Sequence, residues 1–199
     1  MKWFTSDLHF FHKNICSFTN RPWKQEDNEE ALIELWNSQV SAGDEVWNLG
    51  DFFFLKNNAE GIDKAFEVVN RLNGNIRMIL GNHDKEDFFR KLQKDCPSLV
   101  SLDRLKEIKC VLRDNLGIIG KQKLVMCHYP MLTFNQSHRG AIMIHGHEHG
   151  RIHAPGRVID VGLDGSLERL GEWRFWTEED IIQVASEKEP YNPSRREAQ

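Results

Sequence analysis

The amino-terminal half of the chain alternates short apolar runs with segments in which apolar residues recur at helical spacing. The apolar runs have the length and composition of buried strands, and the segments between them have the period of helices that bury one face. Strands are predicted at 3–6, 46–49 and 76–80, and helices at 27–40, 62–72 and 87–94. Alternation of this kind predicts a parallel sheet covered by helices.

The carboxy-terminal half has a different pattern, in which short strand-like runs are separated by turns. These runs lie at 99–112, 117–119, 124–127, 142–144 and 157–161. A helix at 177–186 is predicted because Thr177 and Asp180 have the spacing of a capping box. Neither an internal repeat nor a linker-like segment divides the two halves. We therefore predict a single domain over residues 1–186, followed by a polar, flexible tail over residues 187–199.

The composition is that of an ordinary globular protein of 199 residues, with 40% hydrophobic and 28% charged residues. The formal net charge of -4 and the pI near 6.1 disfavour stable binding to nucleic acid. No apolar stretch has the length of a signal peptide or a membrane span. The cysteines are widely scattered, as reduced thiols are, at Cys16, Cys96, Cys110 and Cys127. These features predict a cytoplasmic protein without a membrane partner, and they leave the oligomeric state open.

Acids, amides and imidazoles follow the apolar runs at five places, each beside a glycine or a turn. The five clusters are Asp7-x-His9, Gly50-Asp51, Gly81-Asn82-His83-Asp84, His128-Tyr129-Pro130 and Gly146-His147-Glu148-His149. Strand ends in an α/β sheet are places where side chains from distant segments converge on one crevice. Carboxylate, amide and imidazole ligands without thiolate suit Mn, Fe, Ni, Zn or Co better than a structural cysteine zinc site. The pattern predicts one shared metal site, with Mn as the preferred metal.

Asp51 is predicted to bridge two divalent ions, because it lies in the middle cluster. The remaining predicted ligands are Asp7, His9 and His149 for one ion, and Asn82, His128 and His147 for the other. Two ions about 3.5–4 Å apart can bind a hydroxide between them, whose lowered pKa allows in-line attack on phosphorus at neutral pH. His83 is predicted to act as the general acid that protonates the leaving oxygen, and its neighbour Asp84 is predicted to orient it.

The five clusters, in this order, resemble the motif set of the calcineurin-like metallophosphoesterases, D-x-H, G-D, G-N-H-[DE], H and G-H-x-H. The match runs from Asp7 to His149, about three quarters of the chain. The segments 4–15 and 127–130 resemble the small bacterial and phage branch of that family. The resemblance implies an α/β (α+β) fold, a four-layer αββα sandwich of two mixed sheets flanked by helices, with a dinuclear centre at the strand ends. It also implies hydrolysis of phosphate esters, either monoesters or diesters.

The expected substrate is a phosphate-ester small molecule or a nucleotide, with phosphodiesters such as cyclic nucleotides or nucleic-acid ends preferred by analogy with the family. A phosphomonoesterase or phosphoprotein phosphatase is the alternative. The second of these is disfavoured because phosphoprotein phosphatases continue the G-D motif with Asp and Arg, where this chain has three phenylalanines at 52–54. A non-catalytic scaffold of the same fold is a further alternative. It is disfavoured because the chain retains every expected ligand.

Several residues near the motifs are candidates for supporting roles. His12, Arg21 and Arg151 are predicted to contact the substrate. Asp164 resembles a family element near the site. It is expected to contact a metal ligand and orient it without binding the metal itself. The phenylalanines at 52–54 are interpreted as a core segment, and an aromatic wall for a nucleobase is the alternative interpretation.

Overall fold

The computed structural model describes the backbone at residues 1–114 and 117–191, and the side chains in those ranges except at residues 110–121. Two mixed β-sheets with helices alongside them form the fold, as expected for the α/β class. The strands are β1 (Lys2–Thr5), β2 (Glu45–Asn48), β3 (Asn75–Ile79), β4 (Leu99–Asp103), β5 (Leu105–Asp114), β6 (Gly117–Cys127), β7 (Ile142–His145), β8 (Val158–Asp160) and β9 (Trp176–Thr177). The helices are α1 (Ile15–Thr19), α2 (Asn28–Gln39), α3 (Ala59–Arg71), α4 (Glu86–Asp95), α5 (Leu163–Leu170) and α6 (Glu178–Ser186).

The first sheet contains the three strands of the alternating half together with β4 and β9 from the carboxy-terminal half, in the order β4-β3-β2-β1-β9. Strands β1 to β4 are parallel, which confirms the prediction, and β9 joins β1 antiparallel. Thr5 at the end of β1 pairs with Asn48 at the end of β2, and Asn48 pairs with Met78 near the end of β3. The carboxyl ends of these three strands are therefore level, and the loops that follow them leave the sheet at one edge.

The second sheet has the order β5-β6-β7-β8. β5 and β6 form an antiparallel pair, while β6, β7 and β8 are parallel. The prediction of one strand-like run at 99–112 is wrong, because the run divides at Arg104 into β4 of the first sheet and β5 of the second. One residue separates these strands, and strand-forming residues lie on both sides of it. Local periodicity therefore carries no sign of the change of sheet.

Apolar side chains fill the space between the two sheets and the space between the first sheet and its helices. Phe4 and Ile144 belong to the inter-sheet core, and Trp36 of α2 belongs to the core on the helix side. Phe52 and Phe53 are 1% and 3% exposed and lie in the helix-side core, as the core interpretation predicts. The next residue, Phe54, is 45% exposed and is not part of the core. The two cores fix the positions of the strand ends relative to one another, and the loops after the strands begin from these fixed positions.

The helices predicted at 27–40, 62–72 and 87–94 occur as α2, α3 and α4 with small shifts at their ends. The predicted capping box is present in α6, where the Asp180 amide donates to the Thr177 hydroxyl at 3.2 Å and the Thr177 amide donates to the Asp180 carboxylate at 2.8 Å. The short helices α1 and α5 were not predicted. No helix at 1–114 or 117–191 combines the length and the apolar character needed to cross a membrane.

The beginning of the predicted tail contacts the second sheet. The Lys188 ammonium donates to the carbonyl oxygens of Ala154 and Val158, both at 3.1 Å. The part of the tail at 192–199 lies outside the described residues. Cys16, Cys96 and Cys127 are free thiols, and the side chain of Cys110 also lies outside the described residues.

Candidate metal centre

The predicted ligands lie on loops that follow strands at the shared edge of the two sheets. Asp7 and His9 follow β1, Asp51 follows β2, and Asn82 follows β3. From the second sheet, His128 follows β6, while His147 and His149 follow β7. Each loop begins where a buried strand ends, so the polar side chains emerge together although they are up to 142 positions apart in sequence. The structure therefore brings all seven predicted ligands to one place.

These loops have unusual backbone conformations. Left-handed φ angles occur at Asp7 (59°), His9 (50°), Asp51 (53°), His147 (71°) and His149 (50°). Such conformations are uncommon outside glycine, cost about 1 kcal/mol or more each, and persist where surrounding contacts enforce them. Here the loops enforce one another, because the His9 amide donates to the Asp51 carbonyl oxygen at 3.0 Å and the His147 amide donates to the Asp7 carboxylate at 2.9 Å.

The glycines of the motifs are explained by close approach. A Cβ atom on Gly146 would clash with the side chains of Ser6 and Asp7, and a Cβ atom on Gly81 would clash with the Asp51 carboxylate. Neither glycine has a positive φ, so space rather than backbone conformation requires them. Glycine at these two positions is thus the condition for a carboxylate from another strand to reach the site.

Asp7, His9 and His149 form the first ligand group, in which one potential ligand atom from each residue lies within 4.8 Å of the others. The Asp7 Oδ1 atom is 4.0 Å from Nε2 of both His9 and His149. This oxygen is buried and accepts no hydrogen bond from the described residues. A buried carboxylate oxygen without a donor is costly unless a cation occupies the space before it, so these residues fit a divalent ion.

A buried ion pair supports the first ligand group from behind. The His149 Nδ1 atom lies 2.6 Å from the Asp164 carboxylate, which leaves Nε2 facing Asp7. Asp164 in turn accepts from Arg21 Nε at 2.8 Å. The expected support of a ligand by Asp164 is thus seen in the geometry, and contacts of this type fix the tautomer and orientation of a metal-binding imidazole.

The prediction that Arg21 contacts substrate is wrong. Its side chain is 0% exposed, and its guanidinium donates to Asp164 and also to the carbonyl oxygens of Asp7 (2.8 Å) and Leu8 (2.9 Å). A guanidinium with all its faces occupied in the interior has no donor left for a ligand in the cleft. Arg21 instead holds the left-handed loop after β1 and the carboxylate that orients His149.

Asp51, His128 and His147 form the second ligand group, again with one potential ligand atom from each within 4.8 Å of the others. The His128 Nδ1 atom is 2.8 Å from the Leu49 carbonyl oxygen, so its Nε2 faces the cleft. The Asn82 Oδ1 atom lies 2.9 Å from His128 Nε2 and 2.9 Å from His147 Nδ1. The amide oxygen thus lies beside this group, and its role as a ligand stays a prediction.

Asp51 lies between the two groups. Its Oδ2 atom is 3.5 Å from Nε2 of His128 in the second group and 3.7 Å from Nε2 of His9 in the first. Its Oδ1 atom accepts from the His83 amide at 2.9 Å. The carboxylate is therefore held by the main chain on one oxygen and faces both groups with the other.

The prediction that Asp84 orients the His83 ring is wrong. Both of its carboxylate oxygens accept from main-chain amides, those of Asp51 (2.7 Å), Phe52 (3.1 Å) and Gly81 (2.8 Å). Asp84 is 7% exposed, and burial raises its pKa to about 6. It joins the loops after β2 and β3 and so positions Asp51 rather than the imidazole beside it.

Burial and charge shift the pKa values of the ligands in opposite directions. Burial raises the pKa of Asp7 to about 7 and lowers that of His9 to about 3. Burial would also lower the pKa of His128, but its contact with Asp51 and the charge of Asp7 outweigh burial and raise it to about 9. Without a cation, the ligand cluster therefore retains protons on Asp7 and His128 near neutral pH. Divalent ions would replace those protons.

The cleft over the ligands has a volume of about 360 Å³ and is lined by His12, His83 and Arg151 together with five of the seven predicted ligands. The side chain of His83 is 44% exposed, and its Nε2 is 3.9 Å from the Asp51 carboxylate. Arg151 donates to the Phe18 carbonyl oxygen at 2.9 Å at the rim. His12 and Arg151 therefore lie where a substrate contact is expected, and their roles stay predictions.

Sequence reasoning missed Asp160. This carboxylate ends β8, is 7% exposed, and accepts from the amides of Gly150 (2.9 Å) and Gly162 (2.7 Å). It thereby shapes the loop that carries His149. The signal was available, since Asp160 stands in the strand-like run at 157–161 and an acid at the end of a buried strand needs main-chain donors.

Comparisons with known proteins agree with this geometry. A family model described as calcineurin-like phosphoesterase matches residues 3–151. The gene 66 protein of Mycobacterium phage D29 is 33% identical over 180 residues, covering 81% of this chain and 87% of the phage protein. The gene 66 protein of Mycobacterium phage L5 is 30% identical over 184 residues, covering 81% and 86%. A solved structure of a protein of unknown function from Aquifex aeolicus has a TM-score of 0.59 at 17% identity, covering 92% of this chain and 98% of that one, so the two share a fold.

Proposed function

The chain belongs to the calcineurin-like phosphoesterase family, in its small phage and bacterial branch, and from this premise we propose that it hydrolyses phosphodiesters at a centre of two divalent ions. Family membership and the two ligand groups make it a metal-dependent phosphoesterase in general terms. The proposal adds the number of ions, Mn²⁺ as the preferred metal, cyclic nucleotides or nucleic-acid ends as substrates, and a cytoplasmic location.

The position of Asp51 is the observation that carries the proposal. A single carboxylate oxygen approaches an imidazole of each ligand group, at 3.5 and 3.7 Å. One oxygen between two sets of imidazoles, with a second carboxylate beside it, is the arrangement that a pair of ions needs. Divalent ions held there supply Lewis acidity, which activates water and neutralises charge on the phosphate oxygens.

His83 is the proposed proton donor to the leaving oxygen. Its ring is half-exposed at the mouth of the cleft, and its main-chain amide is fixed by Asp51. The imidazole is therefore held close to the ligands without being buried among them. A positioned general acid contributes about 10²- to 10⁴-fold to a rate.

Space around the ligands supports an ester with an organic group on each side of phosphorus. The cleft of about 360 Å³ exceeds what a phosphate group fills. A second cavity of about 640 Å³ lies beside the cleft, and His12 lines both. The cleft and the cavity together offer room for the two substituents of a diester.

The experiment is hydrolysis of bis-p-nitrophenyl phosphate and of p-nitrophenyl phosphate by metal-stripped protein, with Mn²⁺, Ni²⁺, Zn²⁺, Mg²⁺ and Fe²⁺ added back in turn. We expect turnover of the diester only with metal and highest with Mn²⁺. His83→Gln should bind the same ions and lose about 10²- to 10⁴-fold in kcat. The matched control His138→Gln removes an exposed imidazole that does not line the cleft and should retain wild-type turnover.

Other outcomes would contradict particular parts of the proposal. Faster turnover of the monoester would replace the diesterase with a phosphomonoesterase. Turnover of a phosphopeptide above both nitrophenyl esters would favour a phosphoprotein phosphatase. A folded, metal-loaded protein that hydrolyses none of them would favour the non-catalytic scaffold.

A further inference from the structure

The cleft over the ligand groups lies beside the second cavity, with His12 in the wall of both. That cavity, of about 640 Å³, is lined by side chains that include Phe11, Lys13, Phe54 and Lys56. A molecule bound at the ligand groups can therefore extend across His12 without leaving the surface of the protein.

Exposed aromatic rings border this passage. Phe54 is 45% exposed and Phe18 is 58% exposed. Their ring centroids lie 4.5 and 5.8 Å from that of His12, and the rings are tilted from the imidazole by 65° and 62°. Because neither phenyl ring stacks on the imidazole, a face of each stays available to a ligand. We name these three residues, Phe18, His12 and Phe54, the aromatic strip.

The aromatic strip is held in place by the fold. The Phe54 amide donates to the Phe10 carbonyl oxygen at 2.8 Å, and Phe53 beside it is buried and bridged to Phe10. On the other side, Arg151 binds the Phe18 carbonyl oxygen. An exposed phenyl ring on a fixed backbone contributes little to the stability of the free protein. It offers a preformed face to a planar partner at low entropic cost.

The chemistry around the aromatic strip favours a planar group with a polar edge. Phe54 provides an apolar face in the second cavity, and Phe18 provides one in the cleft over the ligand groups. The wall of the second cavity also carries donors and acceptors, among them Lys13, Lys56 and Glu29. A nucleobase combines a π face, which stacks on aromatic rings whatever the base, with hydrogen-bonding atoms at its edge. An alkyl chain would use only the apolar faces.

We infer that the aromatic strip is a subsite for the nucleobase of the substrate, so that the esters cleaved at the ligand groups are those of nucleosides. This inference rests on the proposed function and deepens it, since it names the group that the enzyme recognises beside the phosphorus. Phe54 is its main determinant, because its ring also lies 5.3 Å from that of His83 and so adjoins the reacting end of the cleft.

The test uses two diesters that differ only in the base. One is methyl thymidine 5′-phosphate, and the other is the same ester with an abasic deoxyribose in place of thymidine. The ratio of their kcat/KM values, measured by chromatography of the products of metal-loaded protein, should be roughly tenfold or more in favour of thymidine. Loss of one base–aromatic stack has an effect of about 5- to 100-fold, so Phe54→Ala and Phe18→Ala should bring the ratio close to one.

Two variants make the test specific. Phe54→Trp retains a flat ring and should restore the ratio. Phe66→Ala removes a phenylalanine of α3 that is exposed to a similar extent, 38%, and does not line either cavity, so it should keep the wild-type ratio. A wild-type ratio near one, or a ratio unaffected by Phe54→Ala and Phe18→Ala, would overturn the subsite.

Failure of the proposed function would look different. In that case wild-type protein would hydrolyse neither diester with any metal. The affinities of thymidine 5′-monophosphate and abasic deoxyribose 5-phosphate for the metal-loaded protein, measured by calorimetry, would then decide the subsite alone. A preference of roughly tenfold for the nucleotide that disappears in Phe54→Ala would support it, and equal affinities would overturn it.

Discussion

The two ligand groups share one cleft but are supported in different ways. The first group is backed by a buried chain of charges, in which Arg21 holds Asp164 and Asp164 holds His149. In the second group, His128 is held by a main-chain carbonyl oxygen, and His147 meets the amide of Asn82, which is exposed. Both of the carboxylates that face the cleft, Asp7 and Asp51, are buried.

This difference suggests a division of roles. A ligand set held by an interior ion pair keeps its geometry without an ion, whereas a set with an exposed amide and a half-buried imidazole acquires its geometry on binding one. We therefore expect the first group to bind its ion more tightly than the second.

The largest effect is expected from Gly146→Ala. The added methyl group meets Ser6 and Asp7, so it must displace the carboxylate of the first group. The affinity of the tighter ion should fall by more than about 100-fold, beyond what loss of an outer contact produces. Gly43→Ala, where the added methyl group meets nothing within 4 Å, is the control. Equal metal binding by the two variants in calorimetric titrations would contradict the assigned geometry.

Asp164→Asn should have the next largest effect and should act on one ion only. It removes the anion between Arg21 and His149, so the affinity of the tighter ion should fall about 10- to 100-fold while the weaker ion is retained. Arg21→Lys keeps the charge but not the forked geometry, so it should show a similar, smaller loss. The exposed change Asp63→Asn is the control. An equal loss of affinity for both ions would contradict the assignment of separate ions to the two groups.

Metal binding should also depend on pH. In the metal-free protein His128 is protonated below about pH 9 and Asp7 below about pH 7, and both must lose protons to bind an ion. Affinity should therefore fall as the pH is lowered, about tenfold per unit near neutrality. Titration of Mn²⁺ in buffers of different ionisation enthalpy should show more protons released at pH 7 than at pH 8.5, because the raised pKa values of His128 and Asp7 leave more protons on the ligands at the lower pH. Heats independent of the buffer would contradict this.

The smallest effect is expected from Asn82→Ala. The amide is exposed, so water can replace its oxygen at the second ion, and the affinity of that ion should fall by less than about tenfold. The tighter ion should be unaffected. Asn70→Ala, on the exposed face of α3, is the control. A loss of the tighter ion would show that the two groups are not assigned to separate ions.

The parts of the molecule that could be predicted from the sequence are those in which the signal is local. A short apolar run that ends in polar residues beside a glycine or a turn indicates a buried strand and a polar loop, and this pattern located Asp7, Asp51 and Asn82 at strand ends. The helix at 177–186 was predicted from its cap for the same reason. In each case neighbouring residues carry the information.

The rest depends on distant partners. Arg21 lies in a loop between α1 and α2, and only the fold shows that its guanidinium pairs with Asp164, 143 residues away. Asp84 follows His83 in sequence, yet its oxygens face main-chain amides of the neighbouring loop. The run at 99–112 is divided between the two sheets at a single residue, and the periodicity of the sequence does not show this division. Burial of a charge and choice of sheet are properties of packing, not of local pattern.

The central claim is that Asp51 is common to both ligand groups. The measurement that tests it most directly is the number of Mn²⁺ ions bound per chain by wild type, Asp51→Asn and the control Asp63→Asn, determined by calorimetric titration of metal-stripped protein. We predict two ions for wild type and for Asp63→Asn, with both affinities weakened in Asp51→Asn. One ion in wild type, or a variant at Asp51 that loses a single ion and binds the other with wild-type affinity, would contradict the claim.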